Sequence, residues 1–460
     1  MKFHLLLVLV IFQQGVIAQQ PPESLVPADY TWKFCGNAGF SAARADWISL
    51  AISPAGQPYV AYTDLGNNSK ATVMKQEGGQ WTAVGAPGFT SSYVYFTSLA
   101  FSPSGEPYLA YYDAALAGRA TVKKFDGTAW VDVGVPGFSA GGATYTCLVF
   151  SPAGIPYLAY RDVAKNYKAT VKKFNQGSWV TVGTEGFSPS EAPFITLAFN
   201  TAGDPYVAFQ DFSSSGFASV MKFDGNTWGY VGSPGFSAGS AEYTSIAISL
   251  AGEPYVAFCD AWYDYRPRVK KFDGTNWVDV GSPTFLPGSA EYTSLAIAPD
   301  GTPFLAFKDW SNYQKASVIK FNATGWVNVG SPGFSSDTVN YTALALDAAG
   351  HPFIAYQDGA SSFKASVMRY DSVLTSVGKP APGAIAISPS PAANFISINL
   401  QDIPWKIDRI EISDGTGRCL YSASSAEKRV MLDISRYSPG LYFVKVYTGG
   451  TLFVEKFLTR

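Results

Sequence analysis

The sequence predicts an all-β protein in which a seven-bladed β-propeller precedes a small β-sandwich. The first observation behind this prediction is a repeat of 49 residues, marked in each unit by one aspartate: Asp64, Asp113, Asp162, Asp211, Asp260, Asp309 and Asp358. The second is that each unit contains four short strand patterns, and the third is that the chain starts out of step with its own repeat. Such units are typical of propeller blades, because a single blade buries its faces only against its neighbours.

The four strands of each unit follow one another in a fixed order. The first begins with an aromatic residue: Trp47, Phe96, Tyr145, Phe194, Tyr243, Tyr292 and Tyr341. A glycine turn, as at Gly105, leads to the second strand, which keeps an alanine such as Ala110 where neighbouring blades approach closely. A third strand with a valine such as Val122 leads through an Asp-Gly hairpin to the fourth. The fourth strand opens with a tryptophan: Trp81, Trp130, Trp179, Trp228, Trp277 and Trp326.

The chain begins with a fourth strand, and this predicts how the ring closes. Trp32 lies 49 residues before Trp81, so Tyr30 to Gly36 continues the series of fourth strands towards the start of the chain. We expect this segment to pair with the third strand of the seventh unit, which removes the open edges. Residues 373–378 are then an extra strand or a linker. The overlapped closure resembles that of WD-repeat propellers, although the His and Trp-Asp signatures of that family are missing.

Composition and the two ends divide the chain into five segments. The 460 residues, 47% apolar and 15% charged, have the makeup of a strand-rich globular protein. Residues 1–18 have the charged, apolar and small-residue regions of a secretory signal peptide, followed by an N-terminal linker at 19–29. The propeller is expected at 30–378, a linker at 379–383 and the C-terminal β-sandwich at 384–460. No later segment is apolar over the roughly 20 residues that a membrane helix needs, so no span is expected in the mature protein.

The last segment carries short motifs in a characteristic order. They are Pro389-Ser390-Pro391-Ala392, Asp414-Gly415-Thr416-Gly417-Arg418, the late strand Ser438 to Val446, and Lys456-Phe457-Leu458. This segment resembles the type A C-terminal sorting domain of the type IX (Por) secretion system, with Ser390 where that family usually has asparagine. The resemblance implies Sec export, passage across the outer membrane, removal of this domain, and release or anchoring at the cell surface, with the secretion machinery as a partner. An ordinary accessory β-domain is the alternative.

The residue inventory excludes several classes of chemistry. Lys plus Arg number 33 against 35 Asp plus Glu, so the net charge of -2 provides no basic field for nucleic acid. Past the expected signal peptide the one histidine is His351, at a turn position that other units fill with unrelated residues, so neither a serine triad nor a His-rich zinc site is expected. No cofactor and no metal are expected. The cysteines fall in separated units, which favours buried thiols over disulfides: Cys35, Cys147, Cys259 and Cys419.

Two interpretations are open for the repeated aspartates. As ligands or acids they would form a ring of carboxylates; as structural residues, each would accept backbone N–H groups in the turn after the second strand. A residue that is identical in every blade offers no asymmetry for a single active site, so the sequence favours the structural role. In six units a basic residue such as Lys70 lies across that turn, which also predicts a cross-strand ion pair.

Candidate binding residues come from the loop after the aspartate, where the repeats differ most. Strand alternation places this loop at the same end of the blade as the long interblade loop, which carries a phenylalanine: Phe40, Phe89, Phe138, Phe187, Phe236, Phe285 and Phe334. The loops after the aspartate supply the candidates Tyr167, Phe212, Trp262, Tyr263, Tyr265, Trp310 and Tyr313. Such side chains suit stacking on sugar rings or gripping protein loops. The alternative is that they only cover neighbouring blades.

The sequence therefore predicts a secreted or cell-surface, non-catalytic β-propeller, a monomer that binds extracellular glycan or a surface protein through loops on one face. One alternative is a carbohydrate-active enzyme, a glycosidase or lyase, which needs two carboxyl groups about 5 to 9.5 Å apart in a pocket. The acids that would have to converge for this chemistry are Glu242, Asp264, Glu291 and Asp337. The other alternative is a purely structural surface scaffold, for which a featureless polar face is expected.

Overall fold

The computed structural model covers most of the propeller region and parts of the C-terminal region. The described residues are 30–282, 288–323, 325–372, 376–377, 386–389, 391–392, 394–400, 409–414, 419–423, 429–448 and 451–459. The predicted signal peptide and both predicted linkers lie outside them. Thr31–Asp371 form one compact unit, and a second unit includes the chain from Ser372 onward. No helix among the described residues is long and apolar enough to cross a membrane.

The first strands of the blades surround a common axis. Each contacts the first strands of the blades on either side, and the last contacts the first, so the ring is closed. In blade 4 this strand is short, because Pro193 cannot donate a ladder hydrogen bond. The seven first strands found in the described residues are Ala45–Ile52, Val94–Phe101, Ala143–Phe150, Thr196–Phe199, Ala241–Ile248, Ala290–Ile297 and Val339–Leu346.

The second and third strands form the middle of each four-stranded antiparallel sheet. In blades 4 to 7 every residue of the second strand is buried, because both of its faces pack against adjacent blades. The second strands are Pro58–Asp64, Pro107–Asp113, Pro156–Asp162, Pro205–Asp211, Pro254–Asp260, Pro303–Asp309 and Pro352–Asp358. The third strands are Lys70–Glu77, Arg119–Phe125, Lys168–Asn175, Phe217–Phe223, Arg266–Phe272, Lys315–Asn322 and Lys364–Ser372.

The fourth strands confirm the predicted closure. Tyr30–Phe34 is the outer strand of the seventh blade, beside Lys364–Ser372. Just after it, the backbone N–H of Cys35 donates to Val367 O at 2.9 Å, which repeats a bond between equivalent residues of the first blade. The remaining fourth strands are Gln80–Ala83, Trp130–Asp132, Ser178–Thr181, Trp228–Tyr230, Trp277–Asp279 and Gly325–Asn328. The fold is therefore the seven-bladed propeller that the 49-residue repeat predicts.

The tryptophan of each fourth strand joins adjacent blades. Trp32 Nε1 donates to Val329 O at 2.7 Å, and Trp130 Nε1 donates to Val84 O at 2.7 Å. The interblade phenylalanine stacks on the tryptophan of the blade it leads into, as Phe334 does on Trp32 with ring centroids 4.3 Å apart. These phenylalanines therefore belong to the core between blades. Phe285 lies outside the described residues.

The C-terminal unit is a sandwich of two sheets. Its larger sheet has five strands: Ser376–Val377, Arg409–Asp414, Cys419–Ala423, Gly440–Thr448 and Thr451–Thr459. Its smaller sheet has three: Ala386–Ser388, Phe395–Asn399 and Arg429–Asp433. Ile396 and Ile412, from different sheets, are buried in one core. Since Ser376–Val377 pair in parallel with the last strand, this part of 373–378 is an extra strand of the sandwich.

Three cysteines are free thiols, as expected: Cys35, Cys147 and Cys259. Burial raises the pKa of Cys35 to about 12 and that of Cys147 to about 11, so both thiols are protonated and unreactive at neutral pH. The side chain of Cys419 lies outside the described residues.

Candidate functional site

The repeated aspartates fix the loop that carries the candidate residues. Each ends a second strand, and its side chain accepts a backbone N–H two residues later, capping a short 3₁₀ helix. In blade 1, Asp64 accepts from Gly66 N at 3.0 Å and from the Thr72 hydroxyl at 2.8 Å. These N–H and O–H groups are the hydrogen-bond partners of the carboxylate, at the position where the sequence predicts an ion pair with a basic residue across the turn. The seven short helices in the described chain are Leu65–Asn67, Ala114–Leu116, Val163–Lys165, Phe212–Ser214, Ala261–Tyr263, Trp310–Asn312 and Gly359–Ser361.

The two sets of loops meet at one end of the blades. Ala143 N, at the start of the first strand of blade 3 where the interblade loop ends, donates to Gly118 O, beside the short helix of blade 2, at 2.9 Å. A Cβ at Gly239, in the loop before blade 5, would lie 2.5 Å from Trp262 N, so only glycine allows this approach. The two loop sets therefore form a single surface, which we call the loop face.

Six of the seven candidate aromatic side chains are exposed on the loop face. Tyr313 is 86% exposed, Trp262 74% and Phe212 52%. The seventh, Tyr263, is half-buried because its ring packs under the Arg268 guanidinium, 4.3 Å away. The six exposed residues lie on blades 3 to 6 and form the aromatic crescent: Tyr167, Phe212, Trp262, Tyr265, Trp310 and Tyr313.

Seven aromatic residues line the channel below the loop face. They are Trp47, Phe96, Tyr145, Phe194, Tyr243, Tyr292 and Tyr341, and each contacts the next around a closed circle, with centroids 4.2 to 5.3 Å apart. We call this circle the aromatic collar. All seven have φ between 52° and 54°, a left-handed conformation that is unfavourable for bulky residues. A β-bulge in the first strand produces it, as the register shift between Glu242 and Ser245 shows.

Two further sets of side chains lie beside the collar, and sequence reasoning missed most of them. The first set precedes the collar residues: Asp46, Tyr95, Thr144, Pro193, Glu242, Glu291 and Asn340. The second lies across from it, one residue before each repeated aspartate: Thr63, Tyr112, Arg161, Gln210, Cys259, Lys308 and Gln357. Together they form the channel rim. Their signal was in the sequence, because both positions vary from one repeat to the next.

On blades 6 and 7 the rim side chains are joined to one another. Lys308 Nζ lies 3.2 Å from Glu291 Oε2 and donates to Asn340 Oδ1 at 3.0 Å. Trp310, from the crescent, donates through Nε1 to Glu291 Oε1 at 3.2 Å. Asn340 continues the chain by donating to Gln357 Oε1 at 2.8 Å. The rim here is a fixed network of hydrogen bonds.

The network ends in blade 1. Gln357 Nε2 donates to Ala45 O at 2.9 Å and to the Asp46 carboxylate. Asp46 also pairs with Arg44, whose Nε lies 2.8 Å from Oδ1. This series of hydrogen bonds therefore crosses the junction between the last blade and the first, and it gives the rim carboxylate of blade 1 two partners on Oδ1.

Glu242, on blade 5, lacks such partners. On blade 3 the Arg161 guanidinium pairs with Glu191 at 2.5 Å and stacks 4.2 Å over Tyr167, whereas Glu242 forms no hydrogen bond or ion pair within the described residues. Burial, and then the nearby Glu291 charge, raise the pKa of the Glu242 carboxyl. Burial raises the pKa of Tyr145, two blades away, and the Glu242 charge adds to this shift, as expected for groups that face a common axis. Glu242 is thus a half-buried acid without a counter-charge.

Other candidate chemistry is weaker. His351 Nδ1 lies 2.9 Å from Asp347 Oδ2 within its turn at the opposite end of the blade, which is a local structural contact. Within the described chain no group of three or more His, Cys, Asp or Glu side chains is placed to hold a metal ion.

Two clefts lie at the end of the blades opposite the loop face. One, of about 610 Å³, lies between blades 4 and 5, and the other, of about 480 Å³, lies between blades 1 and 2. They share equivalent repeat positions, so both are grooves of the repeat.

Comparison with protein families identifies the C-terminal segment. Residues 386–460 match the secretion system C-terminal sorting domain. This confirms the resemblance that the motifs indicate, and with it the prediction that the protein is exported to the cell surface or the extracellular space. The sorting domain also implies interaction with the secretion machinery. A comparison with curated proteins finds no match.

Solved structures share the fold at low sequence identity. The extracellular domain of the putative hybrid two component system BT4673 from B. thetaiotaomicron has a TM-score of 0.52 and 8% identity, over 92% of this chain and 53% of that one. PorZ, an essential bacterial surface component of the type-IX secretion system of Porphyromonas gingivalis, has a TM-score of 0.47 and 12% identity, over 91% and 60%. The SapL1 lectin, in complex with alpha methyl fucoside, has 0.43 and 16%, over 65% and 99%. This chain thus spans only 53% and 60% of the first two proteins.

Proposed function

We propose that this protein is a non-catalytic binding protein of the cell surface or extracellular space that recognises extracellular glycan through the aromatic crescent. The observation that carries this proposal is the exposure of six aromatic side chains on four consecutive blades of one face. Large apolar side chains that stay exposed together in a folded protein mark binding surfaces, because keeping them in water has a free-energy cost that binding recovers. The featureless polar face expected of a passive scaffold is not what these blades present.

Glycan is favoured over protein by what surrounds the aromatic rings. A sugar ring offers an apolar face for stacking and hydroxyl groups for hydrogen bonding. The crescent supplies the stacking surfaces, and the rim beside it supplies half-buried charged groups such as Arg161 and Glu242. Because the crescent runs over four blades, a polymer could contact several rings in succession, and weak contacts would add through avidity.

The test is a glycan array followed by surface plasmon resonance on the glycans that score. Replacing Trp262 or Tyr313 by Ala should lower affinity about tenfold each, which corresponds to roughly 1.4 kcal/mol of lost stacking. Leu116→Ala is the matched control, because Leu116 is 38% exposed in the equivalent helix of blade 2, outside the crescent. Its affinity should equal that of the unmodified protein.

Two outcomes would contradict this proposal. The first is that no polysaccharide binds at millimolar ligand. The second is that a surface protein binds while Trp262→Ala and Tyr313→Ala leave that binding unchanged. Either result would remove the aromatic crescent from the recognition surface.

A carbohydrate-active enzyme is the second candidate, and the Glu242 and Glu291 pair favours it. These acids occupy equivalent positions on adjacent blades, and burial together with the Glu291 charge raises the pKa of Glu242, as is useful in a general acid. Glu291 is held by Lys308 and Trp310. Reducing-end and unsaturated-product assays on the bound glycans would detect cleavage. Turnover that is lost in both Glu242→Gln and Glu291→Gln would replace the binding proposal by catalysis.

A further inference from the structure

The channel rim has one more acidic residue than basic residues, and this excess of negative charge indicates which kind of ligand it would bind. Five rim residues carry a formal charge: Asp46, Arg161, Glu242, Glu291 and Lys308. Four of them have an oppositely charged partner within 3.2 Å. Glu242 is the exception, since no ion pair involving it is found among the described residues and the equivalent residue of the next blade, Glu291, is also a carboxylate. The excess is therefore located at one side chain on blade 5.

The surroundings of Glu242 favour a cation from outside the protein. A partly buried carboxylate loses hydration, and a positive charge close to it restores the lost stabilisation. Tyr243 follows Glu242 in the aromatic collar, and its ring contacts that of Tyr292 at 5.0 Å. Aromatic faces attract ammonium groups through their electron-rich centres, so collar and carboxylate act in the same direction. The opposite strand places the buried Cys259 across from Glu242, and this neutral thiol brings no counter-charge.

Glu242 is also next to the crescent. Its strand partner Cys259 lies three residues before Trp262, the most exposed tryptophan of the loop face. The backbone bond from Ala261 N to Ser240 O, at 2.9 Å, holds this helix against the start of the Glu242 strand. A ligand stacked on Trp262 or Tyr265 therefore lies at the same end of blade 5 as the unpaired carboxylate.

We propose that the glycan carries a free amino group, which docks on Glu242 while neighbouring sugars stack on the aromatic crescent. This inference rests on the proposed function and names its ligand class: an amino sugar whose nitrogen is not acetylated. A protonated amine supplies the charge that the rim lacks and donates hydrogen bonds to the carboxylate. An N-acetyl group at the same place supplies neither the charge nor the compact donor.

The test compares two oligosaccharides of equal length by isothermal titration calorimetry at pH 6.5. One is the hexamer of glucosamine and the other is the hexamer of N-acetylglucosamine. The unmodified full chain should bind the free-amine hexamer at least about tenfold more tightly, as expected for one charge-assisted contact. Glu242→Gln should reduce that preference to less than about twofold, while leaving the affinity for the acetylated hexamer unchanged.

Asp264→Asn is the matched control. It removes one negative charge from the same blade, at an exposed position with φ of 55° that asparagine tolerates. The preference for the free amine should persist in Asp264→Asn. If Asp264→Asn and Glu242→Gln weaken binding equally, the general charge of the blade explains the effect and the inference is wrong.

The remaining outcomes distinguish failure of the amine site from failure of the proposed glycan binding. Equal affinity for both hexamers in the unmodified protein, with weaker binding of both in Trp262→Ala, supports glycan binding and overturns the amine site. Absence of binding to either hexamer also overturns the amine site. A lysine-rich peptide that binds through Glu242 but is indifferent to Trp262→Ala would overturn both. Circular dichroism of each variant verifies that it is folded.

Discussion

The two halves of the loop face differ although one repeat builds both. On blades 3 to 6 the loops expose aromatic rings, and the rim there includes the unpaired Glu242. On blades 7, 1 and 2 the equivalent loops carry mainly small or aliphatic residues such as Leu65 and Ala360, and Phe363, the one aromatic residue among them, lies beneath Arg44. The rim on blades 7 and 1 is tied by Gln357 and Asp46. The difference shows that the repeat specifies the scaffold, while the variable positions give the two halves different surfaces. The proposed recognition surface lies on the half that ring closure does not involve.

The closure junction explains why the rim side chains on blades 7 and 1 are tied into a hydrogen-bond network. The seventh blade takes its outer strand from the start of the chain, and Gln357 donates across the junction to Ala45 O. Around the rest of the collar, a threonine hydroxyl usually donates to the backbone oxygen of the preceding collar residue, as Thr97 does to Trp47. At the junction that threonine is Ile48, which is buried. The rim network therefore supplies polar contacts where the regular ones are missing.

The largest effect is expected from Trp32→Ala. Trp32 is 7% exposed, stacks on Phe334 and bonds Val329 O, so its removal leaves a cavity at the closing strand. We expect a loss of about 3 to 5 kcal/mol in the free energy of unfolding, typical of a buried tryptophan replaced by alanine. Chemical denaturation followed by fluorescence measures it.

Trp262→Ala is the counterpart of Trp32→Ala on the other half. Because Trp262 is 74% exposed, its replacement should change the free energy of unfolding by less than about 0.5 kcal/mol while weakening glycan binding. If Trp262→Ala destabilises the protein as much as Trp32→Ala, the crescent is part of the core and the contrast between the two halves fails.

The next effect comes from the repeated aspartates, tested once in each half. Asp211→Ala, in blade 4, leaves the donors Ser213 N, Ser219 and Tyr230 without their acceptor, and Asp113→Ala, in blade 2, does the same to Ala115 N and Thr121. Each should cost about 1 to 3 kcal/mol of stability because a buried donor is left unsatisfied. Only Asp211→Ala should also weaken glycan binding, since it releases the loop of Phe212. Equal binding in both variants would contradict a role for that loop.

Ring closure could be predicted from the sequence, whereas the rim could not. Trp32 can be recognised from its spacing, since it lies 49 residues before Trp81. In the structure both indole N–H groups donate to a backbone carbonyl of the adjacent blade. The position of Glu242 depends on the bulge that places Tyr243 at φ of 53° and shifts the strand register. Strand alternation alone does not predict a bulge, because aromatic residues are as common in regular strands. The variation of the rim residues is visible in the sequence, but their arrangement around one channel is not.

The candidate aromatic residues show the same limit of prediction from sequence, here for individual side chains. The sequence places Tyr263 and Tyr265 in one loop with equal standing. In the structure Tyr263 is covered by Arg268, at a position where the other blades have serine or threonine, and Tyr265 is 44% exposed. Which ring faces solvent was decided by one substitution in the third strand of the same blade. Loop composition identifies the candidates, and packing against the neighbouring strand selects among them.

A smaller effect is expected at the collar. Thr244→Val removes the hydroxyl that donates to Phe194 O between blades 4 and 5, which should cost about 1 kcal/mol, the usual net value of one hydrogen bond. Ala343→Ser is the reverse experiment at the closure junction. Between blades 6 and 7 the equivalent residue, Ser294, accepts from Leu344 N at 3.0 Å, and a serine at 343 would offer the same acceptor to blade 1. It should raise the free energy of unfolding by about 0.5 to 1 kcal/mol. A loss of stability in Ala343→Ser would show that the junction is packed too tightly for a regular contact.

The smallest effect compares two rim acids, one from each half. The folded-state pKa of Glu242 is raised above its ordinary value of 4.5 by burial and by Glu291, so stability that is present below about pH 4.5 is lost as pH rises through the raised value. Glu242→Gln should therefore stabilise the protein at pH 7, by less than about 1 kcal/mol because the group is partly solvated, and the gain should vanish near pH 4. Asp46→Asn should instead destabilise it by about 0.2 to 1 kcal/mol, since Asp46 pairs with Arg44. Urea denaturation at both pH values measures the two differences, and the same sign for both variants at pH 7 would contradict the distinction between an unpaired and a paired rim carboxylate.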